Sequence, residues 1–289
     1  MLEYWPSMWY NGKKYIGEFM YKQNLHTHSA LCDGKNTLEE LVQKAIELKF
    51  DSLGFSIHTK MPFATDYPLP PTDYREYQKQ VYALKEKYKG DIDLYAGLEI
   101  DALSQVDTTN YDFIIGSVHY LKVGDNNVGF DRSADVVENI INKYFDGNGI
   151  AFAKHYYQTV IEMANNCKFD IVGHFDLITK NIEIKNLFDT EDKNYLGYAL
   201  EALRAVIEKV NVFEVNTGAM ARGYRTAPYP MPFILREIKN LGGQVMLSSD
   251  CHDKNYLDYA YGSTLEYIKS CGFDSIAILK NGEFILEKI

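Results

Sequence analysis

The sequence contains few cysteines, no long apolar run and no surplus of basic residues, and each shortage excludes a class of protein. Four scattered cysteines in 289 residues are too few for a disulfide scaffold. No stretch approaches the ~20 apolar residues of a membrane-spanning helix, and the N-terminus lacks the basic start and apolar core of a signal peptide. We therefore expect a cytoplasmic protein that needs no membrane.

Basic residues are outnumbered by acidic ones. The chain has 30 Lys and Arg against 40 Asp and Glu, a formal net charge of -10. A broad nucleic-acid-binding face must neutralise many phosphates, so nucleic acid is not an expected partner. A composition that is 46% hydrophobic and 24% charged supplies ample material for a folded core. An anionic substrate would need locally concentrated positive charge.

Strand-like runs alternate with helical patterns along most of the chain. The strand-like runs end near His26 and His58 and recur at about 93–99, 112–118, 169–174, 210–216 and 244–249. Helical patterns lie after the capping box of Thr37 and Glu40, and at about 72–88, 133–145, 149–166, 191–209, 231–241 and 265–270. A Pro-rich loop at 61–71 and a closing hairpin about Asn281-Gly282 complete the pattern. This alternation predicts an α/β fold with seven βα positions, and with no linker in view we predict one domain over residues 1–289.

Six of the seven histidines occur at or just after the end of a strand-like run. They are His26, His28, His58, His119, His174 and His252. Glu99 and Asp250 occupy equivalent places. Because the carboxyl ends of parallel strands in a barrel meet at one rim, these side chains are expected to converge there. Imidazole and carboxylate together bind zinc, manganese or iron, so the pattern predicts a multinuclear metal site and a metal-dependent hydrolase. His155 lies within a helical pattern and is predicted to be structural or to support a ligand.

Spacing suggests how these residues could share ions. His26 and His28, two residues apart on an extended strand, point to one side, and Asp250 and His252 repeat that spacing. Asp33 could reach an adjacent ion from the following loop. A carboxylate at the end of an apolar strand is costly to bury unless metals neutralise it, which makes Glu99 the natural bridge between two ions. We interpret Asp101, which alternates to the same face, as a solvated loop acid.

Taken in order, these motifs resemble the PHP family, named for polymerases and histidinol phosphatases, and most closely its histidinol-phosphate phosphatases. The resemblance runs over nearly the whole chain and implies a single-domain distorted (β/α)7 barrel with three divalent ions, zinc, manganese or iron, at the C-terminal ends of the strands. It assigns three ligand groups: His26, His28, Glu99 and Asp250; Glu99, His119 and His174; and Asp33, His58 and His252. Two positions depart from the family pattern. Asn24 stands where Asp is common and Asp33 where His is common, so the third ion is expected to bind differently.

The resemblance also implies a reaction, the hydrolysis of L-histidinol phosphate to L-histidinol and phosphate in histidine biosynthesis. Attack would come from a hydroxide bridging two ions. Arg222 and Arg225, which follow the strand at 210–216, are candidates to bind the phosphate, and Asp250 or His252 could act as general acid. A substrate with an imidazole and an ammonium group suits a pocket with acidic and aromatic walls. The aromatic candidates in loops at the rim are Phe63, Tyr67, Tyr120, Tyr224 and Tyr229.

Three other functions remain open at this stage. A PHP enzyme could act on another small phosphomonoester or a nucleotide. An amidohydrolase barrel also carries His-x-His on its first strand, but it typically uses a lysine at the bridging position, where this chain has Glu99. A noncatalytic metal-binding regulatory barrel is the alternative of another class, and the full set of ligands counts against it.

Overall fold

The structure is a computed structural model that describes residues 21–61, 63 and 73–289. Most of the Pro-rich loop predicted at 61–71, including Tyr67, lies outside the described residues. The strands in this part of the chain are β1 (Gln23–Asn24), β2 (Ser52–His58), β3 (Asp93–Asp101), β4 (Phe113–Ser117), β5 (Tyr120–Val123), β6 (Asn126–Gly129), β7 (Ile171–Val172), β8 (Val212–Asn216), β9 (Gln244–Ser248), β10 (Ser275–Lys280) and β11 (Glu283–Lys288). The α-helices are α1 (Leu38–Glu47), α2 (Tyr74–Lys87), α3 (Ala134–Tyr144), α4 (Gly149–Asn166), α5 (Lys193–Ile207), α6 (Gly218–Ala221), α7 (Pro232–Asn240) and α8 (Tyr261–Ser270).

Seven parallel strands form a nearly closed barrel. Their order is β1-β2-β3-β4-β7-β8-β9, and every neighbouring pair is parallel. The ends of the series meet just beyond β1 and β9, where Thr27 pairs in parallel with Cys251. The amide of His28 donates to the carbonyl of Cys251 at 2.8 Å, and the amide of Cys251 donates to the carbonyl of His26 at 3.0 Å. This junction brings the first and last candidate ligand pairs of the sequence side by side.

The half of the barrel interior at the N-terminal ends of the strands is packed with apolar side chains. Phe113 lies at its centre, and a Cβ added to Gly97 of β3 would come within 2.4 Å of its ring, so only glycine leaves room for this phenyl group. The antiparallel hairpin β10–β11 closes the N-terminal end of the barrel, where Ala277 and Leu279 join the same apolar cluster. Burial of that end leaves the C-terminal rim as the open face.

The helices pack around the outside of the barrel. In α1, Thr37 and Glu40 form the predicted capping box, and the apolar stripe Leu38, Leu41 and Val42 is buried against the strands. α2 is held to the barrel by Tyr77, whose buried hydroxyl lies 2.8 Å from two strand carbonyls. None of the described helices combines the length and the apolarity that crossing a bilayer requires.

Seven βα positions and the closing hairpin are confirmed, and so is the α/β barrel. Two features were not predicted. The hairpin β5–β6 follows His119 directly, and its strands of four residues each are too short to give a clear alternating pattern. Helix α8 begins at Tyr261, four residues before the predicted start, because Ala260 at φ 57° forms its N-terminal boundary without a side-chain cap. The single domain over 1–289 stays a prediction.

Candidate metal centre

The first candidate ligand group lies where the barrel closes. His26 Nε2 is 3.2 Å from Glu99 Oε2 and 3.5 Å from Asp250 Oδ1. His28 Nε2 is 3.5 Å and 3.3 Å from the same two oxygens. A tetrahedral ion with bonds of about 2.0–2.1 Å holds its donor atoms roughly 3.3–3.4 Å apart. These four distances match the spacing that a tetrahedral metal ion requires.

Several of these donor atoms are buried and lack a conventional partner. Within the described part of the chain, His26 Nε2, His28 Nε2 and Glu99 Oε2 have negligible exposure and no hydrogen bond of acceptable geometry. A buried polar atom left unpaired is costly, by about 1–3 kcal/mol for a neutral group and more for a charged one. Three such atoms aimed at one point fit a bound cation, because coordination would satisfy all of them together.

The second group shares Glu99. His174 Nε2 lies 3.1 Å from Glu99 Oε1, and His119 Nε2 lies 3.4 Å from the same oxygen. Glu99 thus presents Oε1 to the second group and Oε2 to the first, and Oε2 also lies 2.9 Å from His58 Nδ1. Its exposure is 1%. Its position two residues before the end of β3 is compatible with the bridging role, which stays a prediction.

The third group lies nearest to solvent. Asp33 Oδ2 is 3.5 Å from His58 Nε2 and 3.3 Å from His252 Nε2, and a donor atom of His28 lies within ligand range of the other three residues. The resemblance assigned only Asp33, His58 and His252 to this group. His28 joins it because its ring stacks on those of His58 and His252, with centroids 4.3 and 4.2 Å apart.

The electrostatics of the cluster favour a cation. Burial alone would lower the pKa of His119, but the neighbouring Glu99 raises it to about 10. Burial likewise opposes charge on His26, yet Glu214 and Glu99 raise its pKa well above the usual range. By contrast, burial and the rings of His252 and His58 lower the pKa of His28 to about 3, which keeps this imidazole neutral and able to coordinate. Metal binding should therefore displace protons from the cluster.

Arg222 is in contact with the cluster. Its Nη2 donates to Asp250 Oδ2 at 2.9 Å and its Nη1 to the Asp250 carbonyl at 3.2 Å. Asp250 has a φ of 45°, in the left-handed region that costs energy for most residues and is better tolerated by Asp. Burial would raise the pKa of this carboxyl, but Arg222 and His26 hold it well below its usual range. A partly exposed guanidinium thus stands beside the candidate ligands.

Arg225 lies elsewhere. It is 7% exposed, its Nη1 donates to Thr179, and its guanidinium stacks over the ring of Tyr229 at 4.6 Å. These contacts face a buried polar region behind His174 and not the ligand groups. His155, outside the cluster as expected, donates from Nε2 to the carbonyl of Lys122 at 2.9 Å.

Two acidic residues matter more than the sequence suggested. The interpretation of Asp101 as a solvated loop acid is wrong. It is 4% exposed at the end of β3, its Oδ2 accepts from the amide of His119 at 2.6 Å, and it lies 3.5 Å from His119 Nδ1. Glu214 in β8 was passed over, although it lies 2.5 Å from His26 Nδ1. The available signal was an acid placed between apolar residues on a predicted barrel strand.

A cleft opens beside the second group. Glu99 and His119 form its floor, and its walls include Tyr120 and Asp131. Asp131 is paired with Lys180 at 2.6 Å. Burial opposes ionisation of Asp131, but Lys180 and His119 lower its pKa to about 2, so the carboxylate is charged at neutral pH.

Known proteins share both the sequence pattern and the fold. The chain is 26% identical over 279 residues to a Schizosaccharomyces pombe protein named "Probable histidinol-phosphatase", with 89% of each chain covered. It is 24% identical to the histidinol-phosphatase of Bacillus subtilis, over 86% of this chain and 99% of that one. Its fold matches that of histidinol phosphate phosphatase from Lactococcus lactis, solved with zinc, L-histidinol and phosphate, at a TM-score of 0.70 and 20% identity, over 92% of this chain and 99% of that one. The sequence model of the PHP domain matches residues 24–218, and the chain belongs to the PHP domain family.

Proposed function

We propose that this protein hydrolyses L-histidinol phosphate to L-histidinol and phosphate, as a metal-dependent phosphomonoesterase of histidine biosynthesis. The observation that carries the proposal is the set of three adjoining ligand groups at the open rim of the barrel, linked through Glu99 and His28, with Arg222 beside them. The naming of the relatives in Schizosaccharomyces pombe and Bacillus subtilis supports the choice of substrate. A cytoplasmic location belongs to this proposal, and the four free thiols are compatible with it.

We propose that the groups hold three divalent ions, of zinc, manganese or iron. The first would take His26, His28, Glu99 and Asp250; the second Glu99, His119 and His174; the third Asp33, His58 and His252, with His28 within reach. Divalent ions held there would supply the chemistry by lowering the pKa of a water and neutralising phosphoryl oxygens. Neutral imidazoles mixed with carboxylates suit all three metals, so the donor set alone does not select one.

The residues around the ions would bind and orient the phosphate. Arg222 presents a guanidinium held by Asp250, and such a fork can bind two phosphoryl oxygens at once. His252 could protonate the leaving oxygen, because it stands at the edge of the cluster next to Arg222. Asp250 is the weaker candidate for general acid, because Arg222 and His26 hold its pKa well below the usual range and keep it ionised. Arg225 is retained as a weaker candidate for substrate binding, since its guanidinium would have to leave Thr179 to reach a phosphate.

The cleft would bind the organic part of the substrate. L-Histidinol carries an ammonium group and an imidazole, and Asp131 offers a permanently charged carboxylate with Tyr120 beside it. Charge complementarity of this kind selects partners and suppresses those of the wrong sign. An ammonium group that shares the Asp131 carboxylate with Lys180 would favour a cationic phosphomonoester over a nucleotide. The net charge of -10 argues against nucleic acid as a partner.

The decisive experiment compares phosphate release from L-histidinol phosphate with release from a panel of phosphomonoesters, including nucleoside monophosphates, using protein whose metal content has been measured. We expect fast release from L-histidinol phosphate alone and about three ions per chain. His119→Asn should abolish release, because its Nε2 is one of the donors to the second ion.

His155→Asn is the matched control, since this residue binds the carbonyl of Lys122 and none of the candidate ligands. It should retain the rate of the unaltered chain. Similar rates on many esters would refute the choice of substrate. No release from any ester by fully metal-loaded protein would favour the noncatalytic alternative.

A further inference from the structure

Glu214 is a fully buried acid in the middle of a barrel strand. In β8 the side chains alternate: Phe213 and Val215 pack outward against the helices, whereas Val212 joins the apolar cluster inside the barrel. Glu214 and Asn216 therefore also face inward, one and two layers closer to the rim than Val212. The exposure of Glu214 is 0%. A buried carboxylate in this position needs partners for every lone pair.

Four donors surround its two oxygens. Oε1 lies 2.5 Å from His26 Nδ1 and accepts from the Ser248 hydroxyl at 2.5 Å. Oε2 accepts from the backbone amide of His174 at 2.7 Å and from Asn216 Nδ2 at 2.9 Å. The orientation of the Asn216 amide is fixed, because its Oδ1 accepts from the amide of Gly218 at 2.8 Å. Both oxygens of Glu214 are thus fully used as acceptors.

The contact with His26 determines which nitrogen of that ring can bind a metal. An ionised carboxylate only accepts hydrogen bonds, so the hydrogen of a neutral His26 must be on Nδ1. Its lone pair is then on Nε2, the atom that faces Glu99 and Asp250 at 3.2 and 3.5 Å. A carboxylate behind a histidine also makes the imidazole a stronger ligand.

The contact with His174 acts on the backbone. The strand β7 has only two residues, and His174 follows it after Gly173, beyond the last ladder pair of β7. The bond from its amide to Glu214 holds the chain at this point, and the ring then places Nε2 3.1 Å from Glu99 Oε1. One carboxylate therefore supports a member of the first ligand group and a member of the second. Its four donors include no residue of the third group.

We propose that Glu214 is a positioning residue that fixes the tautomer of His26 and the backbone of His174, and thereby sets the affinity of the first and second metal sites but not of the third. The inference rests on the metal centre in the proposed function and not on its substrate. It assigns Glu214 no contact with metal or substrate.

Glu214→Gln tests this with little change in shape. The glutamine amide would have an NH2 group in place of one carboxylate oxygen. Whether this group took the position of Oε1 or of Oε2, it would face two hydrogen-bond donors and could accept from neither. It would displace the amide of His174, or it would force the hydrogen of His26 onto Nε2 and block coordination. Loss of such an outer partner typically weakens metal binding by about 10- to 100-fold.

The measurement is a Co²⁺ titration of metal-free protein against a competing chelator, followed by the visible absorption of Co²⁺. We expect two of three binding steps to weaken about 10- to 100-fold in Glu214→Gln, with the remaining step within about twofold of the unaltered chain. Glu237→Gln is the matched control, because Glu237 is a half-buried acid on α7 that pairs with Arg204 and with none of the candidate ligands. Unchanged affinity at all three steps, or equal weakening of all three in a folded variant, overturns the proposal.

A second measurement needs no variant and so does not depend on whether Glu214→Gln folds. Nitrogen-15 NMR of the histidine rings in the unaltered chain, without metal at high pH and with Zn²⁺, should show His26 with hydrogen on Nδ1 and with Zn²⁺ bound through Nε2. Hydrogen on Nε2, or coordination through Nδ1, would contradict the role of Glu214. Neither measurement uses histidinol phosphate, so a chain that binds metal as expected but fails to hydrolyse that ester would refute the proposed substrate alone.

Discussion

Glu99→Gln is the substitution with the largest expected effect on the metal centre. It preserves side-chain volume but removes the charge and one acceptor oxygen from a residue that faces both of the first two ligand groups. Glu99 Oε2 is 3.2 Å from His26 Nε2, and Oε1 is 3.1 Å from His174 Nε2. Since the two oxygens face different groups, no orientation of the amide can serve both.

The size of the effect follows from this shared position. Loss of an outer partner weakens one ion by about 10- to 100-fold, and a direct ligand should contribute at least as much. If the affinities for both ions fall by this factor, the population of protein that holds both falls by at least about 10²- to 10⁴-fold when metal is limiting. This corresponds to roughly 3–6 kcal/mol. Phosphate release should fall in the same proportion.

The assay combines metal analysis after dialysis with phosphate release at limiting and saturating metal. Glu237→Gln, outside the cluster, serves again as the control. Two results would refute the reasoning. Retention of every ion, with rates within about threefold of those of the unaltered chain, would exclude Glu99 as a ligand. Even a tenfold change in rate corresponds to only about 1.4 kcal/mol, so a threefold change is too small for the loss of a shared ligand. Loss of the second ion alone would show that Glu99 is not shared.

Three further predictions concern the surroundings of the cluster. Arg222→Ala should lower kcat/KM about 10²- to 10³-fold and weaken inhibition by inorganic phosphate, whereas the exposed Arg204→Ala should change neither; equal behaviour of the two would exclude Arg222 from phosphate binding. Asp131→Asn should raise KM for L-histidinol phosphate about 10- to 100-fold and leave KM for p-nitrophenyl phosphate unchanged, and a parallel rise for both esters would argue against recognition of a cation. Chelation should lower the urea midpoint of unfolding and restoration of metal should recover it, because each ion at 100 times its Kd stabilises the fold by about 2.7 kcal/mol; an unchanged midpoint would contradict a metal site buried in the barrel.

The candidate ligands were recognisable because their sequence context is local. His119 and His174 each follow a short apolar run, and the alternation of strands with helices indicates that such runs end at one rim. That argument needs no distances, and all nine predicted ligand residues do meet there. Asp33, in a loop five residues beyond His28, also lies at this rim, and its role as a ligand stays a prediction.

The supporting residues were not recognisable in the same way. Asp101 was interpreted as a solvated acid because it ends its strand. In the fold, the segment after β4 covers it, and the backbone amides of His119 and Tyr120 both donate to its Oδ2. Arg222 and Arg225 are three residues apart in one loop and look equivalent in sequence. The turn after α6 directs Arg222 to Asp250 and Arg225 to Thr179, and that divergence depends on packing around Tyr229.

The sequence by itself determined the fold class, the family and the set of side chains that line the rim, because periodicity and strand-end position are properties of neighbouring residues. The tertiary structure decided how those side chains are shared: Glu99 between two groups, His28 between two others, and Glu214 behind His26. His26 and Glu214 are 188 residues apart in the chain, and their 2.5 Å contact exists only because the barrel closes between its first and last strands. Contacts across such a closure depend on strand register and on the packing of the interior, which no local pattern in the sequence specifies.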